Sequence, residues 1–215
     1  MKKLFIGGII LAVLAVIVLL IVIVAGGSYN HLVSLSQGVD KQWAQVENVY
    51  QRRADLVPNL VATVSGAANF EKSTLTEVTE ARASVGKVTV NANTAPTDPA
   101  QLAEFEKAQG SLSSALSRLL VVSEQYPDLK ATAGFRDLQA QLEGTENRIS
   151  VERGRFNDVV QAYDTAIKSF PANLYAGMFG FKEKPYFAAT AGADKPPQVQ
   201  FDFNKPANAT APAKQ

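Results

Sequence analysis

Among the residues able to do chemistry, the carboxylates come first. Glu143, Glu146 and Glu152 stand close together in the chain, and paired acids can act as general acid and base. An acid-dependent hydrolase would need two of them to converge in a cleft. They alternate at helical spacing with Arg148, Arg153 and Arg155, however, which is the pattern of a solvated ion-pair ladder. His31 is the sole histidine and cysteine is absent. Zinc sites of the usual type therefore cannot form, and a serine–histidine–aspartate triad would have to run through His31. Disulfides and thiol chemistry are excluded. The segment GMFGF lacks the lysine and the helix start of a phosphate-binding loop. No catalytic, metal-binding or cofactor-binding residue is assigned, and the expectation is a protein that is not an enzyme and needs no cofactor.

A different cluster draws attention at residues 51–64, QRRADLVPNLVATV, where two arginines, an aspartate and a proline interrupt an apolar pattern. Proline lacks the backbone N–H and clashes with the carbonyl four residues back. Taking 100° per residue, Arg52, Asp55 and Asn59 face outward while Tyr50, Val57, Val61 and Val64 face a core. Leu56 and Leu60 widen the apolar arc enough for two neighbours. Asp55 can pair with Arg52 and with Asn59. Pro58 frees the Ala54 carbonyl, for which Arg53 or Asn59 is the expected donor. The first reading is a kinked packing segment whose polar cluster satisfies its own backbone; alternatively, an outward Arg–Asp–Asn set beside leucines resembles an interface rim.

These residues need elements to hold them. Residues 4–25, LFIGGIILAVLAVIVLLIVIVA, carry no charge and as a helix would span roughly 33 Å, enough to cross a bilayer. A secretory signal has a shorter apolar stretch, so the expectation is an uncleaved anchor. Lys2 and Lys3 precede it and no further lysine or arginine follows until Lys41, which puts the N-terminus in the cytoplasm and the bulk outside. Over the whole chain, 21 lysines and arginines face 20 acids, without the basic stripe that nucleic-acid binding requires.

Gly26-Gly27-Ser28 reads as a hinge, with Ser28 or Asn30 capping the next helix. From Leu32 the apolar positions recur at three-four spacing through Leu35, Val39, Trp43, Val46, Tyr50, Val57 and Val64, continuing weakly to Val85 and predicting a first helix of roughly 60 residues beyond the anchor. Asp98-Pro99 starts a second helix, which Pro127 stops. Asp128 caps a third, interrupted or compensated at Gly134, Gly144 and Gly154, and ended by Pro171. Val199, Phe201 and Phe203 alternate as in a strand, and 204–215 has the composition of a disordered tail.

The fold expected is all-α: a transmembrane helix, then an elongated antiparallel bundle of three to four helices, the first very long and kinked near Pro58, with a mostly irregular aromatic-rich C-terminal tail. Residues 1–27 would be stub and anchor, 28–171 the bundle, 172–203 a tail packing on bundle or membrane, and 204–215 disordered.

Two blocks of this chain resemble the LemA family: the RRADLVPNLV core behind a single N-terminal apolar helix, and ENRISVERGRFNDVVQAYDTAIKSFPANLYAGMFGFKEKPYF. The chain departs from the second block at Phe156 and Asp164, where the family carries tyrosine and asparagine, so no role resting on those hydroxyl or amide groups carries over. The resemblance implies a membrane-anchored, extracytoplasmic bundle of bacteria without an established reaction, often encoded near membrane metalloproteases. Its motif positions mark an interaction surface at Arg52, Arg53, Asp55, Leu56, Pro58, Asn59, Arg148, Asn157, Phe170, Pro171, Phe179, Gly180 and Phe181.

Together these readings give the expected function: a scaffold or adaptor of the cell envelope, single-pass in the bacterial inner membrane, self-associating through its long helix. The expected partners are the lipid bilayer through residues 4–25, a second copy, and an envelope protein such as a membrane protease, with no nucleic acid. A ligand-sensing bundle is the alternative, and a hydrolase a more distant one.

Overall fold

The computed structural model describes residues 2–66, 70–88 and 94–188, and every regular element in them is helical. The elements are α1 (Lys2–Ser65), α2 (Lys72–Val85), α3 (Pro99–Ser123), α4 (Pro127–Ala131), α5 (Ala133–Lys168) and a short 3-10 turn at Ala172–Leu174. The alternation at Val199, Phe201 and Phe203 and the tail 204–215 lie outside the described residues.

α1 contains both the apolar run and the RRADLVPNLV segment in one uninterrupted helix. The expected hinge at Gly26-Gly27 is not there. A glycine costs a helix about 1 kcal/mol, and two of them do not break one that is continuous on both sides. An 18-residue window of α1 has a mean hydropathy of 3.0 with none of it buried, so α1 is long and apolar enough to cross a membrane. The helix also ends sooner than its apolar pattern suggests, at Ser65 before Gly66, and the later positions Val78 and Val85 belong to α2. Beyond residue 28 it extends roughly 57 Å.

The bundle follows from which stripes meet. Trp43 and Tyr50 on α1 touch Phe105 near the start of α3, while Arg53 reaches Gln109 and Ser113 further along, so α1 and α3 run parallel. Gln42 meets Glu152 and Arg53 meets Glu146, so α5 returns antiparallel to α1. With α2 descending beside α3 the order is up-down-up-down. α2 is short, and Val88 and Ala95 from the connection after it pack on the lower cluster.

Caps explain the boundaries. Asp98 accepts a bond from the Ala100 N–H at 2.8 Å with Pro99 next to it, as the sequence predicts. The third predicted helix is split in two. Pro127 opens α4, and Thr132, in extended backbone, caps α5 by accepting from Phe135 N–H at 3.3 Å while its hydroxyl donates to the Leu129 carbonyl at 2.7 Å. Such local hydroxyl bonds compete with helix continuation. Gly134, Gly144 and Gly154 sit exposed on α5 with open space where a Cβ would be, so close packing is not what retains them.

Two apolar clusters fill the bundle. The lower one gathers Leu32, Val39, Trp43, Val46 and Tyr50 with Phe105, Phe156, Val160, Tyr163 and Phe187. The upper one joins Val57, Leu60 and Val64 with Val78, Leu112, Leu116, Leu119, Phe135 and Leu142. Each fully buried side chain of this kind contributes about 1.5–3 kcal/mol. Trp43 is the centre of the lower cluster, edge-on to Phe105 and Phe156 and stacked on Phe187 at 6.0 Å.

Candidate interaction surface

Adjacent arginines in the RRADLVPNLV segment take opposite roles. Arg52 is exposed, whereas Arg53 is 1% exposed and lies between the two apolar clusters. Its Nη1 donates to Ser113 Oγ and Glu146 Oε1, both at 2.6 Å. Nη2 donates to the Gln109 carbonyl at 3.2 Å and to Gln109 Oε1 at 2.5 Å. The Tyr50 ring stacks against the guanidinium at 5.1 Å, and only Nε is buried without a partner. One planar fork thus ties α1 to α3 and α5 at a single height. A buried charge tolerates little displacement from its partners, so this belt fixes the register of three helices. Arg53 belongs to the interior and not to an outward surface.

Pro58 does release the Ala54 carbonyl, but its donor is neither Arg53 nor Asn59. Arg82 Nε on α2 donates to it at 3.0 Å. α2 is recruited to α1 where proline has removed a helical bond. Asp55 is bonded by Gln51 Nε2 at 2.7 Å in place of Arg52 or Asn59. Leu56 is buried, while Pro58 is exposed beside Asn59.

The outward face is therefore polar and ordered by heptads. Gln45, Arg52 and Asn59 are exposed at seven-residue spacing, and so are Asn48, Asp55 and Ala62. On α5 the exposed Arg148 borders the same side, in a shallow groove shared with Gln45, Val49, Val151 and Arg155. Among the described residues no acceptor reaches Arg52 or Arg148. The expected ladder on α5 is mostly absent. Only Arg155 bonds within the helix, to Glu152 at 2.8 Å. Glu146 crosses to Arg53, and Arg153 crosses to Glu106 on α3 at 2.7 Å.

The second block works as a clamp on the chain that follows it. Asn157 donates to the Phe187 carbonyl at 3.1 Å and accepts from the Phe187 N–H at 2.9 Å. One heptad later Asp164 accepts from the Lys184 N–H at 3.1 Å. Lys184 itself is buried, and its Nζ pairs with Asp40 Oδ1 on α1 at 2.7 Å. The same Asp40 oxygen accepts from the Ala95 N–H at 3.0 Å. Asp40 thus pins both the α2–α3 connection and the tail to α1. Burial raises the Asp164 carboxyl above its ordinary range, partly offset by the Lys184 amide and the Tyr186 hydroxyl. Burial also raises Glu47, whose Oε2 lies near the Trp43 indole N–H without either making a close bond.

At the base of the bundle, Phe170 and Phe179 are exposed and Pro171 and Phe181 half-buried, with Gly180 at φ +82°. Tyr29 on α1 holds Phe179 and Phe181 edge-on at 5.2 and 5.6 Å. The motif positions thus fall into an interior belt, an outward strip, a tail clamp and a basal loop. Sequence reasoning missed Asp40, Arg82, Gln109, Asp164 and Lys184 as structural partners. Asp164 alone carried a signal, because it stands where the family block has asparagine.

The chain as a whole has relatives. The family model described as LemA family matches residues 42–201. Magnetosome protein MamQ 2 of Paramagnetospirillum magneticum is 26% identical over 187 residues, covering 78% of this chain and 67% of its own length. Magnetosome protein MamQ of Magnetospirillum gryphiswaldense is 26% identical over 193 residues, covering 80% and 70%. Protein LemA of Metamycoplasma hominis is 22% identical over 151 residues, covering 70% and 64%. The family match takes in the Arg53 belt, the Asn157 clamp and the basal loop together, and the chain belongs to the LemA family.

Proposed function

We propose that this protein is a membrane-anchored, non-enzymatic scaffold of the bacterial cell envelope that self-associates through the outward strip of α1. The observation that carries the reading is the exposed double heptad row from Gln45 to Ala62, on the same helix as the apolar run. Heptad spacing lets one face of a helix stay in register with a second helix. Arg52 would stand about 40 Å along the helix from the end of the apolar run, well clear of the bilayer. Lys2 and Lys3 orient the span with the N-terminus cytoplasmic. The names of the relatives carry no reaction, which fits a structural role.

The test uses the intact protein solubilised in detergent. The expected mass is that of a dimer or higher assembly, and Arg52→Cys should cross-link between copies, since the chain has no cysteine of its own. Arg52→Glu with Asn59→Glu should weaken assembly without lowering the melting temperature. A monomeric mass, with no envelope partner such as a membrane protease captured by cross-linking in native membranes, would sink the proposal.

One observation favours the ligand-sensing alternative. An open groove of about 670 Å3 between α3 and α5 is lined by Ser113, Glu146, Arg153 and Asn157 beside Gly110 and Gly154. A melting-temperature shift with a small polar metabolite would support that reading over the scaffold.

A further inference from the structure

Residues 170–181, FPANLYAGMFGF, run without a charge, yet their large side chains are not buried. Phe170 is 80% exposed, Leu174 67%, Met178 86% and Phe179 62%. So many exposed large apolar groups in one short loop mark a contact surface. The position of the loop says what covers it. Phe179 packs on Tyr29, which lies four residues beyond Ala25, or about 6 Å further along the helix. Because α1 is unbroken there, the loop sits level with the outer end of the apolar run, where hydrocarbon gives way to headgroups and aromatic side chains collect.

The loop is built for such a place. Most of its amides are satisfied locally: Ala176 N–H donates to the Ala172 carbonyl at 2.8 Å, Met178 N–H to Tyr175 at 3.0 Å, and Phe181 N–H to Ala176 at 3.0 Å. Backbone in a region poor in water needs that closure. Exposed Lys182 follows immediately, able to extend its ammonium toward phosphate.

We propose that this loop is a second membrane contact, seating Phe170, Leu174, Met178 and Phe179 in the headgroup region of the bilayer that α1 spans. The inference rests on the membrane-anchored reading of α1. Full-length protein, cysteine-free apart from one introduced residue, is spin-labelled at Met178→Cys and placed in nanodiscs of phosphatidylethanolamine and phosphatidylglycerol. Accessibility to oxygen and to a water-soluble nickel chelate then reports depth. Val16→Cys in the span and Val121→Cys on α3, both exposed in the bundle structure, serve as references. The expected result is oxygen accessibility at Met178 shifted from that of Val121 toward that of Val16. Nickel accessibility at Met178 equal to that at Val121, with Val16 in lipid, overturns the loop contact alone. A label at Val16 accessible to nickel overturns the anchor itself. Low accessibility of Met178 to both reagents assigns the loop to a protein contact and overturns the proposal, as does lipid exposure at Val121.

Discussion

The two arginines at positions 52 and 53 show how little residue type alone decides. Arg53 Nη1 and Nη2 reach acceptors on two other helices, and a lysine offers one point charge where a rigid fork is required. Arg53→Lys should destabilise the protein by about 2–3 kcal/mol in urea unfolding, the scale of lost charged hydrogen bonds. Arg52→Ala should stay within about 0.5 kcal/mol, as for an exposed position. Asp164 gives a prediction with a definite sign. Its carboxyl titrates above its ordinary value of 3.8, so the folded state holds the proton more tightly than the unfolded chain. Stability is then lost as pH rises past 3.8 through the raised value. Asp164→Asn keeps the acceptor for the Lys184 N–H and removes the buried charge. The variant should match the parent below about pH 4 and melt higher at pH 7. A variant that melts lower at pH 7 would show that the charge is needed there.

At the scale of elements, Pro58 links α1 to α2. Arg82→Ala should cost about 1 kcal/mol, because the Ala54 carbonyl loses its donor. In a Pro58→Ala background the new amide at position 58 can restore the helical bond, and the cost of Arg82→Ala should shrink. A double-mutant cycle with no coupling would refute this pairing. The helices themselves were legible from three-four spacing and from Asp98-Pro99. Donor identities were not, because Arg82 lies on an element whose direction depends on where α1 stops. That stop comes at Ser65 and Gly66, whereas the apolar spacing runs on toward Val85 as though no turn intervened. The same blindness hid Lys184, whose partners Asp40 and Asp164 are far away in sequence. Periodicity reports which face of a helix is wet. It carries no information on which distant polar group completes a buried bond.

For the whole molecule, the segment 182–188 is a component of the core through Phe187. Phe187 stacks on Trp43, the only tryptophan, so indole fluorescence reports its docking. Asn157→Ala removes both bonds to the Phe187 backbone and should red-shift Trp43 emission as water reaches the ring. Amide exchange over 184–188 should rise roughly tenfold for each 1.4 kcal/mol of lost local stability. Unchanged emission would mean that packing alone holds the tail. The unbroken passage of α1 from apolar run to bundle also has a mechanical consequence. With no joint at Gly26-Gly27, a membrane-inserted α1 would act as a lever whose fulcrum is the bilayer. Membrane spans tilt by about 20° on average, and by more when the bilayer is thin relative to the span. An arm of roughly 57 Å then swings its far end sideways by about 20 Å for that tilt, so membrane thickness would set how far the bundle tip reaches.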